Sequence, residues 1–171
     1  LLMAHGFVQE QGTLQRVLHE MHEDVIFLCY SRVLGEVTSL HQEFLDAFYE
    51  EEFDAETAME STQKRPMVPR KKIQAYIARK GGAGLDCSTN VELARTITKA
   101  YSGYVHAASP HIMDMYGGHP PHFHVNGMLG TERHAEHRRD LWIYFYRSIL
   151  NFGLAAKAFR DQELFDQINA F

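Results

Sequence analysis

Residues 131–159 read T-E-R-H-A-E-H-R-R-D-L-W-I-Y-F-Y-R-S-I-L-N-F-G-L-A-A-K-A-F. Thr131 suits an N-cap, because its hydroxyl can accept from a free backbone N–H of the first turn. Glu132 follows, where an acid suits the positive end of the helix dipole. Leu141, Phe145, Phe152, Ala156 and Phe159 then recur at helical spacing, which predicts one long amphipathic helix. Trp142, Ile143, Tyr146, Ile149 and Leu150 widen the apolar stripe. This helix is therefore expected to be the most buried in the fold.

Helical periodicity continues on either side. Leu14, Val17, Leu18, Met21, Val25 and Leu28 mark a first helix, with Gly35 as its break. Val37, Leu40, Phe44, Phe48, Ala55 and Met59 mark a second, with Glu51 and Glu52 interrupting its stripe. Pro66 and Pro69 exclude regular helix from the linker at 64–69, since each removes a donor and restricts its neighbour. A shorter helix is expected over 70–80, stopped by Gly81 and Gly82. Thr89 and Glu92 have capping-box spacing and predict the start of a helix carrying Leu93, Ile97, Tyr101 and Tyr104. Pro110 can open a short helix over 111–116, and a last turn or two covers 161–171. No segment alternates with period two. The expected fold class is all-α: residues 1–171 form a single-domain helical bundle of four main helices plus short helices. A loop rich in His, Pro and Gly (117–130) precedes the long penultimate helix. The chain opens on Leu1-Leu2-Met3 and reads as a piece of a longer protein.

Composition bounds the function. The 171 residues are 45% hydrophobic and 23% charged, a balance that argues against disorder. A formal net charge of −5 excludes a polycationic nucleic-acid binder. No apolar run approaches a membrane span. Two unclustered cysteines, Cys29 and Cys87, make no disulfide framework, so a reducing, cytoplasmic setting is expected. Charge is unevenly placed: residues 33–63 hold nine acids and no lysine or arginine, whereas 64–85 hold seven cations and no acid. Two oppositely charged helices that neutralise each other explain this most simply. A basic patch over 64–80 that meets nucleic acid is the alternative.

Seven of the eleven histidines lie between His106 and His137. Histidine titrates near neutrality and ligates metals, so the cluster admits acid–base chemistry, metal binding or anion binding. At about 100° per residue, His134 and Arg138 extend the stripe of Leu141 and Phe145. Both are expected to point inward, with Asp114 as a partner. Backbone donors at the Thr131 helix start and the charge of Arg133 would suit a carboxylate or phosphate. The expected pocket comprises His111, Asp114, His122, His124, Arg133, His134 and Arg138, and its ligand is a small anionic molecule. No cofactor is expected. A metal-assisted hydrolase would draw its ligands from His122, His124, His134 and His137, although His19-Glu20-Met21-His22 is one residue short of the H-E-x-x-H pattern. A metal-free ribonuclease would use Arg16 and His22, which lie about 120° apart on a helix. The aromatic surplus also suits a homo-oligomer face.

The stretches S-G-Y-V-H-A-A-S-P-H-I-M-D-M-Y-G-G, F-H-V-N-G-M-L-G-T-E-R-H-A-E-H and L-W-I-Y-F-Y-R-S-I, within about 101–149, resemble an all-helical bacterial family known only as a domain of unknown function. The resemblance implies an all-α fold and carries no activity onto any residue.

Overall fold

The computed structural model describes residues 1–50, 55–57, 59–62, 67–81 and 86–170. Among them lie seven α-helices: α1 (Val8–Val33), α2 (Ser39–Tyr49), α3 (Arg70–Gly81), α4 (Cys87–Val105), α5 (Ser109–Met113), α6 (Glu132–Phe159) and α7 (Gln162–Asn169). A 3-10 turn (Met3–His5) precedes α1. Among the described residues the fold is all-α apart from one short hairpin, β1 (Tyr116–Gly117) against β2 (His122–Phe123), inside the His-rich loop. Glu51, Glu52, Lys64, Arg65, Pro66 and Gly82, which enter the expected linker and helix ends, lie outside the described residues.

Helix starts follow local chemistry. Thr131 caps α6, its hydroxyl accepting from the His134 N–H at 3.2 Å. The expected cap of α4 at Thr89 is displaced: Asp86 is the N-cap, accepting from the Thr89 N–H at 3.0 Å and from the Thr89 hydroxyl. A carboxylate outcompetes a hydroxyl for that role, so the helix gains three residues. At α2, Thr38 N–H donates to His41 Nδ1 at 3.1 Å. The His41 proton therefore sits on Nε2, 3.2 Å from the Phe27 carbonyl. His41 stacks on Phe27 at 4.1 Å, and Tyr76 meets both rings edge-on. With Ile73 these rings form the main apolar cluster, where α1, α2 and α3 meet.

α1 and α6 run parallel. Met3 meets His134, His19 meets Arg147 and His22 meets Asn151. α4 runs antiparallel to α1, with Tyr104 against Gly12 and the Thr98 carbonyl against Arg16.

The inward faces differ from those expected. On α6 the buried residues are His137, Tyr144, Gly153 and Ala156. Phe145, Phe152 and Phe159, expected in the core, are exposed, as is Trp142 at 72%. On α1, Gln11, Gln15, His19 and Glu23 are buried, while Leu14, Val17, Leu18 and Met21 are exposed. Polar groups at four-residue spacing thus face the interior, where His19 and Glu23 bond across to Arg147 and Gln74 while Gln15 finds no partner among the described residues, and the apolar side chains from Leu14 to Met21 on α1 and at Phe145, Phe152 and Phe159 on α6 lie on the outside. α6 is not the most buried helix.

Candidate functional site

The expected pocket residues do not converge. Asp114 pairs with Arg133, which also reaches Glu136 at 2.9 Å. The Arg133 charge is therefore engaged by two carboxylates, and Asp114 partners neither His134 nor Arg138. His134 Nε2 is held by the Met3 carbonyl at 2.8 Å. Arg138 is exposed, contrary to its expected inward placement. His122 is exposed, its ring 4.3 Å from that of half-buried His124. His111 stands edge-on to Tyr104 at 4.2 Å, with Nε2 on the Ala100 carbonyl. His137, not His134, is the buried histidine of α6. Its Nε2 lies 2.8 Å from Tyr104 Oη, and burial lowers its pKa ahead of the nearby Arg133 charge. Burial likewise pushes the Tyr104 hydroxyl up to about 12, so it stays protonated. Among the described residues no three His, Cys, Asp or Glu side chains converge as a metal site, and the set His122, His124, His134 and His137 is not assembled.

The polar groups that do converge are on the inward face of α1. A cavity of about 300 Å³ between α1, α3, α4 and α6 is lined by His19, His22, Glu23, Gln74 and Arg147, with Ile26, Ile77 and Ile97 among its apolar walls. Arg147 Nη1 donates to His19 Nδ1 at 3.0 Å. The His19 proton is therefore on Nε2, which points towards Glu23 Oε1 from 3.5 Å, too far to bond well. Gln74 Nε2 donates to the same Glu23 oxygen at 2.9 Å. His22 Nδ1 donates to Asn151 Oδ1 at 2.7 Å, which leaves His22 Nε2 as an acceptor.

Electrostatics follow from burial. Burial first, then the Arg147 charge, lowers His19 to about 4, so its ring is neutral at pH 7. His22 is also lowered, chiefly by burial. Burial raises the Glu23 carboxyl against the opposing Gln74 hydrogen bond and Arg70 charge. Among the described residues, several buried atoms at or beside this cavity have no hydrogen-bond partner: both ends of Gln15 one turn before His19, His19 Nε2 and Glu23 Oε2. Each such group costs about 1–3 kcal/mol. Arg147 pairs with no carboxylate among the described residues. Its guanidinium rests 5.4 Å from the Tyr144 ring centroid.

Three described cations of the basic segment meet acids. Arg70 pairs with Asp24, Lys72 with Glu43 at 3.7 Å and Lys80 with Glu36. Arg16 is engaged by Glu20 and lines a different cleft from His22, so the ribonuclease pair is not assembled. Cys29 and Cys87 are free thiols, and Cys87 Sγ lies against the Ala75 carbonyl. Among the described residues no helix is long and apolar enough to cross a membrane.

The sequence signal for this cavity was present but inverted. Gln11, Gln15, His19 and Glu23 recur every four residues, a spacing ordinarily assigned to a solvated face. Gly12 beside them was the clue, because a residue without a side chain lets α4 approach. No known protein family, no curated protein and no solved structure matches the chain.

Proposed function

We propose that the protein is a helical binding module for a small organic anion, held in the cavity between α1, α3, α4 and α6. The observation that carries this reading is Arg147: a half-buried guanidinium facing a cavity, beside a neutral histidine and with no carboxylate partner among the described residues. Such a charge is stabilised by an anion that brings its own oxygens. Ile26, Ile77 and Ile97 suit a hydrocarbon body, so a carboxylic acid with an apolar chain fits better than inorganic phosphate. His22 Nε2 is placed to accept from a ligand hydroxyl. Calorimetric titration with short-chain and hydroxylated carboxylates tests the reading. A charge-assisted hydrogen bond contributes about 1.5–3 kcal/mol, so Arg147→Gln is expected to weaken binding on the order of tenfold to a hundredfold. Equal affinity for an acid and its methyl ester would refute it.

A further inference from the structure

The inverted faces of α1 and α6 have a counterpart on the outside of the molecule. Around α1, His19 and His22 face α6, Gly12 and Arg16 face α4, and Glu23 and Asp24 face α3. The remaining arc carries Leu14, Val17, Leu18 and Met21, each about half exposed. On α6, Arg147 and Asn151 face α1, and the arc turned away from them carries Trp142, Phe145, Ile149 and Phe152, the last two bordering Leu164 and Ile168 of α7. Because the helices run parallel, the C-terminal ends of the two arcs meet: Val25, Leu28 and Phe159 line one shared cleft, which joins the arcs into one surface. From Leu14 to Leu28 on α1, and from Leu141 to Phe159 on α6, the stripes contain no charged residue.

We infer that this face is the interface of a two-fold homodimer. Three features favour a second copy over another occupant. First, the exposed side chains offer roughly 100 Å² each and about 900 Å² in all, against the ~800 Å² per partner of a stable interface. Second, stripes without charge, aromatic on α6 and aliphatic on α1, with Arg32 and Arg160 at the rim of the joining cleft, resemble a divided core with a polar rim, as obligate homodimers show, more than the polar surface of a transient contact. Third, two parallel helices of 26 and 28 residues, stacked on their copies, close into a four-helix layer that leaves no apolar stripe open.

Trp142 is the single tryptophan and lies on this face, 72% exposed in the protomer, so its emission reports coverage. Sedimentation equilibrium of the full chain at micromolar concentration is expected to give twice the 19.7 kDa chain mass, with blue-shifted Trp142 emission. Phe145→Asp and Leu18→Glu are expected to halve the mass and red-shift the emission. Their circular dichroism should stay helical, because both side chains are half-exposed in the protomer. A wild-type chain of single mass overturns the inference, whether its tryptophan is covered by its own chain or left open. So does a dimer that both variants leave intact.

Discussion

Gly12→Ala sets two effects of opposite sign against each other. Gly12 is a mid-helix residue of α1, and alanine there is worth about 1 kcal/mol in helix propensity. The added Cβ, however, would stand 2.7 Å from Tyr104 Cγ and Cδ2 and 2.9 Å from Cδ1. These atoms are the base of the ring, not its flexible tip. The ring is also held by the His137 hydrogen bond at 2.8 Å and by His111 edge-on at 4.2 Å. Overpacking of this kind costs about 1–3 kcal/mol, and with little freedom to yield the upper half of that range applies. The net expectation is a loss of about 1–2 kcal/mol, a fall in Tm of roughly 2–8 °C for a chain of this size. Gly153→Ala is the contrast within the same assay. Its Cβ would meet Ile168 Cγ2 at 3.7 Å, an ordinary contact, so only the propensity gain remains and Tm should rise by about 2–4 °C. Differential scanning calorimetry of the two variants decides. If Gly12→Ala rises as Gly153→Ala does, the close α1–α4 contact through Tyr104 is refuted.

Acid should destabilise the fold through histidines rather than carboxylates. His19 falls from 6.5 to about 4 on folding, and burial also lowers His22, His41 and His137. The unfolded chain then binds more protons, so stability is lost as pH falls from about 6.5 towards 4. Glu23 is raised and opposes this: its contribution is present below the unfolded carboxyl pKa and is lost as pH rises through its folded value. One carboxyl against four histidines leaves the histidine sign, so Tm should drop across that window, and His19→Gln should make the drop shallower; a flat profile would contradict it. Asp114→Asn removes the pairing of Arg133 with Asp114 at a part-exposed site, and because Glu136 remains on Arg133 the loss should stay below about 1 kcal/mol in urea unfolding. A loss of several kcal/mol would mean that the pair is structurally buried.

The sequence revealed helices well and their orientation poorly. The Thr131 cap and the long helix after it were legible because capping and periodicity are local. Periodicity also found the apolar stripes of α1 and α6, but it says only that a face avoids water, not which neighbour covers it. Tyr104, His137 and Tyr144 sit opposite that stripe because hydrogen bonds across the interior and the space left by Gly12 set the packing. The His-rich loop drew attention by composition, yet His122 and His124 sit at a hairpin and Arg133 is engaged by Asp114 and Glu136. Arg147 was invisible as a site residue, since its partner His19 lies 128 positions away and only the parallel pairing of α1 with α6 brings them together.

The most direct measurement is calorimetric titration of wild type and Arg147→Gln with a series of short-chain carboxylates and their methyl esters. The cavity at His19, His22 and Arg147 predicts one acid bound per chain, no binding of the ester, and at least a tenfold loss in Arg147→Gln. Failure of every carboxylate to bind, or unchanged affinity in the variant, would contradict it.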